Sequence, residues 1–388
     1  MDGTTVTASI LDGQQGQAHA LPPEPICLRI PLHRQTALTT GDDIMLSRHQ
    51  FTLWAGILSA ALLPVACGGE EDTAGPAPTL ALTIDTDGNF HDEDDGDDRD
   101  PLRFSDWSAP VNLGPPINGA FADAGSFISK DGLSFYVSST RPGGCGNFDI
   151  WVSTRESRDE AWGEPQNLGC DVNSSGFDAA PFLTINGKRL YFHSDRPGGA
   201  GGFDLYVSRR HDKRDPLGWE TPQNLGSGVN TALAEVLPSI LEDDENGITT
   251  LFFAGRAGAP GGRGGEDIYR STRQADGTFG PAILVPELSS SARDLAPFIR
   301  RDGLELFLGS TRPGTVGGID LWVSTRATTS DPWSTPVTLG PVINSDVQDD
   351  RVTLSFDGTA LYFTSPRSSG FGSNDVYVLT RSKLKGQD

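Results

Sequence analysis

One phrase, aromatic-x-x-Pro-x-x-Leu-Gly, constrains this chain more than anything else in it. It reads Trp107-Pro110-Leu113-Gly114, then Trp162-Pro165-Leu168-Gly169, Trp219-Pro222-Leu225-Gly226 and Trp333-Pro336-Leu339-Gly340, with a degraded copy at Phe279 and Pro281. A second phrase, Arg-Pro-Gly-Gly in full or degraded form, leads into Asp, an apolar residue and an aromatic. It runs from Arg141 to Asp149, Arg196 to Asp204, Arg256 to Asp267, Arg312 to Asp320 and Arg367 to Asp375. Self-similarity recurring roughly every 55 residues is the signature of a repeat architecture.

Each repeat holds four strand-like runs. In the second copy these are residues 180–184, 189–194, 203–209 and 219–225. Asn186-Gly187 marks a tight hairpin between the first two, with counterparts at Asp131-Gly132, Asn246-Gly247, Asp302-Gly303 and Asp357-Gly358. The chain's 47 glycines and 27 prolines suit many short strands and tight turns rather than long helices. Four short antiparallel strands cannot cover both faces of their own sheet. Five such sheets stacked around an axis can. The Trp107–Gly114 copy precedes any inner strand, and the last repeat, ending near Arg381, lacks a fourth strand. The expected fold is therefore all-β: a five-bladed β-propeller of four-stranded antiparallel blades over residues 101–384, its ring closed by the N-terminal strand.

The segment Asp178-Ala-Ala-Pro181-Phe182, Asn186-Gly187-Lys188-Arg189-Leu190-Tyr191-Phe192-His193-Ser194-Asp195-Arg196-Pro197-Gly198-Gly199 and Gly202-Phe203-Asp204-Leu205-Tyr206-Val207 resembles the WD40-like propeller repeat, PD40. That repeat is also found in TolB and in envelope proteins with peptidoglycan-binding partners. The resemblance covers all five copies. The third departs most, with an acidic insert at Glu242–Glu245 and a Gly-rich loop at Gly258–Gly265. It implies a propeller and says little about function.

Ahead of the repeats, residues 1–44 show no apolar periodicity and read as a non-native or disordered extension. Met45-Leu-Ser-Arg48-His49 leads into an apolar run, Phe51–Ala66, too short for a membrane span of about 20 residues. The run ends Leu63-Pro64-Val65-Ala66-Cys67, so residues 45–67 resemble a bacterial export signal with a lipobox. Pro64 departs from the usual leucine. Cys67 is the expected lipidation site and a lipid there the sole link to the membrane, which places the protein in the cell envelope, in the periplasm or at the outer membrane. Residues 68–100 carry twelve acids against Arg99 alone and read as an extended acidic linker. Within it Asp85, Asp87 and Asn89 form a weak calcium candidate, without the closing glutamate of a complete loop.

Net charge is −22, which excludes duplex nucleic acid as a partner. No nucleophile elbow, zinc-type Cys/His spacing or cofactor fingerprint appears, so no catalytic residue, metal or cofactor is assigned. Five acids at equivalent repeat positions, Asp123, Asp178, Glu235, Asp294 and Asp349, precede the inner strands. They are candidates for a ring of carboxylates at one channel mouth, or for groups that bond backbone amides. The repeated arginines and third-strand acids pair as Arg141 with Asp149, Arg196 with Asp204, Arg256 with Asp267, Arg312 with Asp320 and Arg367 with Asp375, as cross-strand ion pairs. Cys145 and Cys170 fall on the same rim of the first blade and are expected to form a disulfide. Near-equivalent acids argue against acid–base chemistry, which needs unequal environments. The expected function is accordingly a monomeric, non-enzymatic binding or scaffolding module for an envelope protein or glycan. The alternative is a glycoside-cleaving propeller enzyme using the channel-mouth carboxylates.

Overall fold

In the computed structural model, residues 82–84, 90–92, 104–243 and 247–384 are described. The export signal, Cys67 and the calcium candidates Asp85, Asp87 and Asn89 lie outside them. Leu82–Ile84 and Phe90–Asp92, within the stretch read as an acidic linker, pair antiparallel. They fall in the first of two units of the chain, and the repeats fall in the second, Asp94–Asp388.

The second unit is a propeller of five four-stranded antiparallel blades. From the axis outward, blade one runs Asp123–Ile128, Ser134–Ser139, Asp149–Thr154 and Gln166–Asn167. Blade two runs Asp178–Leu183, Arg189–Ser194, Asp204–Arg209 and Gln223–Asn224. Blade three runs Glu235–Asp243, Ile248–Gly255, Asp267–Thr272 and Ile283–Leu284; blade four runs Asp294–Ile299, Glu305–Ser310, Asp320–Thr325 and Val337–Thr338. Blade five takes Asp350–Leu354, Ala360–Ser365 and Asp375–Thr380 from the C-terminus and its outer strand, Val111–Asn112, from the N-terminus. The ring closes as expected. Asn118 locks the seam by exchanging two hydrogen bonds with the backbone of Val376.

The second strands explain why the repeats look continuously apolar. Phe135-Tyr136-Val137, Leu190-Tyr191-Phe192, Leu251-Phe252-Phe253, Leu306-Phe307-Leu308 and Leu361-Tyr362-Phe363 are all buried. Each is covered on both faces by neighbouring sheets, so no polar alternation is needed. Full burial of one such side chain is worth about 1.5–3 kcal/mol. The tryptophan phrase has a related cause. Its aromatic packs edge-on against the second strand of the adjoining blade: Trp219 on Tyr136, Phe279 on Tyr191 and Trp107 on Phe307, at centroid distances of 6.4, 6.2 and 6.3 Å. The outer strands are shorter than the sequence implies, two residues instead of seven in blade two. The repeated proline, Pro222 there, has no N–H to give the ladder and breaks it.

Two glycine positions are dictated by close geometry. The hairpin glycines, Gly187 among them, have φ near 70° (68° for Gly187), and the preceding Asn186 accepts the N–H of Lys188. The second glycine of the Arg-Pro-Gly-Gly phrase lies against the third-strand carboxylate. A Cβ on Gly199 would stand 2.1 Å from Asp204 Oδ2.

Candidate functional site

The repeated inner-strand acids do not ring the channel mouth. Asp123, Asp178, Glu235, Asp294 and Asp349 are all fully buried, at 0% exposure. Each is bound by the arginine of its own blade: Arg141, Arg196, Arg256, Arg312 and Arg367, at 2.5–3.1 Å. Each also accepts the amide N–H of a residue four places upstream, from Gly119, Ser174, Thr231, Ser290 and Ser345. The arginines reach on to backbone carbonyls of the connection between blades, at Ile117, Val172, Val229, Leu288 and Ile343. The acid and arginine together clamp the crossing from one blade to the next. Of the two roles the sequence left open for these acids, the backbone-binding one is observed.

The arginine pairing is corrected by the same geometry. Asp149, Asp204, Asp267, Asp320 and Asp375 do not hold Arg141, Arg196, Arg256, Arg312 and Arg367. Their carboxylates accept amides of their own loop instead, from Cys145 and Gly146, Ala200, Arg263, Val316 and Gly317, and Phe371 and Gly372. The register made the sequence ambiguous. Ser139 stands opposite Asp123 on one side and Asp149 on the other, so an arginine two residues on could have served either. Burial pushes the Asp267 carboxyl up from its ordinary value.

A second repeated arginine escaped the sequence reading. Arg155, Arg210, Arg326 and Arg381 follow the third strands, donate to the hairpin carbonyls of Gly132, Gly187, Gly303 and Gly358, and lie over Trp162, Trp219, Trp333 and Trp107. Their signal was present as an arginine just after each third strand, five times over. Arg273 keeps the place in blade three but bonds Gly277, because that blade's hairpin is longer.

The expected Cys145–Cys170 disulfide is formed, with Cα atoms 5.5 Å apart.

The channel is closed near its middle by three phenylalanines. Phe127, Phe182 and Phe298 sit with ring centroids 4.7, 5.6 and 6.5 Å apart. Two mouths remain. On one face, every inner strand bulges two residues past its repeated acid, where Gly125, Ala180, Leu237, Ala296 and Arg351 adopt φ of 47–59°. That mouth presents Arg351 as its charged side chain. The bulge amides are bonded across blades, Gly125 to Thr364 and Ala180 to Ser138. At the same place Leu237 faces His193, whose imidazole burial pushes down to about 3, with Arg351 adding to the effect.

The opposite mouth, on the hairpin face, is larger, about 580 Å³ of open depression above the phenylalanine floor. Five lip residues, one per blade at the position seven past each repeated acid, are Lys130, Ile185, Glu242, Arg301 and Phe356. They differ in every copy. Glu242 Oε2 accepts the N–H of Ile185 at 2.7 Å, which fixes the carboxylate across the gap between blades two and three. Blade three's first hairpin extends beyond it, with strands of nine and eight residues against six in most blades. Arg300 lines the same mouth and is bound by Asp302 and Glu305 at 2.8 and 2.6 Å. Among the described residues no group of His, Cys, Asp and Glu has an arrangement able to hold a metal.

No family model matches the sequence, and no curated protein matches it either. Solved structures do. The chain is similar to an α-L-arabinofuranosidase from Lactobacillus brevis, at 15% identity, 70% of this chain and 93% of that one, TM-score 0.49. A thermostable family-43 glycoside hydrolase gives 13% identity, 71% and 93% coverage, and a TM-score of 0.46. The catalytic domain of a Coprinopsis cinerea α-L-arabinofuranosidase gives 16%, 72%, 97% and 0.45. These solved structures are glycoside hydrolases, in contrast to the non-enzymatic binding or scaffolding module expected of the sequence, and likeness at this level carries no activity over to this chain. Likeness this distant carries over no residue, so the chemistry rests on this chain's own side chains.

Proposed function

We propose that this propeller acts on a carbohydrate held at the hairpin-face mouth of its channel, with Glu242 as the acid–base carboxylate. The observation that carries the reading is Glu242 itself, a carboxylate fixed on the lip of an apolar-floored depression of about 580 Å³. A floor of phenylalanine suits the apolar face of a sugar ring. A carboxylate on the lip can pass a proton to or from a glycosidic oxygen. Glycoside cleavage calls on two carboxyl groups. Glu242 is the carboxylate that lines the mouth, and Asp131, Asp302 and Asp357 stand in the hairpin turns of the same face outside that lining. The repeated inner-strand acids take no part, because a buried carboxylate already holding an arginine and an amide cannot approach a substrate.

The test is a panel of oligosaccharides incubated with the full chain, with products read by chromatography. Turnover by the native protein, lost in Glu242→Gln with melting temperature and binding retained, supports the proposal. Glutamine keeps the Ile185 hydrogen bond and removes the titratable oxygen. Equal turnover by Glu242→Gln, or no saccharide bound or cleaved by the native protein, refutes it. We further propose that the protein meets this substrate outside the cytoplasm, exported and lipid-anchored through Cys67.

A further inference from the structure

The polar side chains around the hairpin-face mouth are engaged by the protein itself. Thr184 Oγ1 donates to Asn186 Oδ1 at 2.9 Å and accepts the N–H of Arg189. Ser355 Oγ donates to Asp357 Oδ1 at 2.7 Å and accepts the N–H of Ala360. Arg300 is held by Asp302 and Glu305, and Lys130 and Arg301 lie over the Phe356 ring. Deeper in, the lining is apolar. Four places past each repeated acid, at the level of the floor, stand Phe127, Phe182, Ser239, Phe298 and Thr353. Ser239 Oγ accepts the N–H of Ile299, and Thr353 Oγ1 donates to the carbonyl of Ser126, so both hydroxyls at this level are bonded to backbone. One place further along, Ile128, Leu183, Ile299 and Leu354 form the walls.

From this lining we infer the substrate class: the mouth takes an aryl glycoside, its aromatic aglycone on the phenylalanine floor and its sugar at the lip beside Glu242. The inference rests on the carbohydrate reading above and narrows it. A sugar ring sunk to the floor would turn its hydroxyls on the walls, where each would lose water without gaining a partner. An aromatic ring brings no such groups. The three phenylalanines meet one another at interplanar angles of 55°, 46° and 42°, tilted rather than stacked. A fourth ring can therefore pack edge to face among them, an arrangement aromatic pairs favour. Depth fits as well. The lip lies three residues along the strand from the floor, about 10 Å at about 3.3 Å per residue. One aromatic ring and the glycosidic oxygen span that depth, which brings the oxygen level with Glu242 and leaves the sugar's hydroxyls in water.

The experiment titrates the full chain with phenyl, cyclohexyl and methyl thioglycosides of xylose, arabinose, glucose and galactose, by calorimetry. The sulfur linkage resists cleavage, so binding is read alone. The expected result is a phenyl thioglycoside bound at least about tenfold more tightly than the methyl thioglycoside of the same sugar. It should also bind more tightly than the cyclohexyl one, with the negative heat-capacity change of apolar burial. Phe298→Leu keeps the floor apolar and removes one ring, and should erase the preference for phenyl over cyclohexyl; if that variant does not fold, the three thioglycosides on the native protein decide. A methyl thioglycoside that binds as tightly as the phenyl one overturns the inference and leaves the carbohydrate reading standing. A cyclohexyl thioglycoside that binds as tightly overturns it in favour of any apolar aglycone. An unchanged phenyl preference in folded Phe298→Leu overturns the placement of the ring on the floor. If no thioglycoside binds, the carbohydrate reading falls and this inference with it.

Discussion

Replacing Arg312 by methionine tests whether the repeated acids are structural. The Arg312 guanidinium donates to Asp294 Oδ1, to the carbonyl of Leu288 and to Ser310 Oγ, and its side chain is 10% exposed. Asp294 is fully buried and would keep the amide of Ser290 and the hydroxyls of Ser290 and Ser310. Methionine fills much of the same volume, so the main loss is the charge. Removing one partner of a buried pair costs about 3–5 kcal/mol, because the other charge is left uncompensated. Each kcal/mol lowers the melting temperature of a domain this large by about 2–4 °C, so a drop of order 10 °C is expected. Differential scanning calorimetry reads it directly. The double variant Arg312→Met/Asp294→Leu should recover part of the loss, since two apolar groups replace two charges. A single variant that melts within about 1 °C of the native protein, where surface changes fall, would refute the clamp and return these acids to the list of accessible groups.

Other outcomes follow from the same geometry. The folded protein keeps His193 neutral down to about pH 3, whereas the unfolded chain protonates it near its ordinary value of 6.5. Stability should therefore fall as pH drops from 6.5 towards 3, by about 1.4 kcal/mol per pH unit from this group alone, and His193→Gln should remove that slope in urea titrations; parallel acid limbs would refute it. Reducing the Cys145–Cys170 bridge opens a loop with a sequence separation of 25 and should cost about 3 kcal/mol in the chain-entropy picture, seen as a lower melting temperature under reductant and absent in a Cys145→Ser/Cys170→Ser protein. Gly199→Ala must displace the Asp204 carboxylate from the amide of Ala200, and should cost about 1–3 kcal/mol by calorimetry, whereas Gly169→Ala, with open space at its Cβ, should cost only its backbone strain of about 1 kcal/mol. Cys67→Ser should abolish lipid labelling and release the protein from the membrane fraction; retention without change would refute the anchor.

The fold was legible because closure leaves its mark at the chain ends. A tryptophan phrase without an inner strand before it, and a last blade without an outer strand after it, can be reconciled only by pairing Val111–Asn112 with Tyr377–Val378, as observed. The disulfide was legible for a related reason: strand direction places Cys145 and Cys170 on one rim. Two things were hidden. The bulge two residues past each repeated acid depends on backbone conformation, and four of its five residues, Ala180, Leu237, Ala296 and Arg351, are types that seldom adopt positive φ. The outer strands were overread because the proline that defines their phrase also breaks their ladder.

The site was misread for the opposite reason, that repetition draws attention to what is repeated. A residue present in all five blades is one that every blade needs, and what each blade needs is a buried clamp between its inner strand and its neighbour. Asp294 and Arg312 meet that need in the same way as Asp123 and Arg141. A substrate approaching a five-fold ring meets it along one axis and in one orientation, so whatever holds that substrate must break the symmetry. Lys130, Ile185, Glu242, Arg301 and Phe356 do so at a single level of the channel. In a closed repeat protein the positions that carry stability are therefore read from agreement among the copies. Those that carry chemistry are read from disagreement at equivalent positions around one mouth.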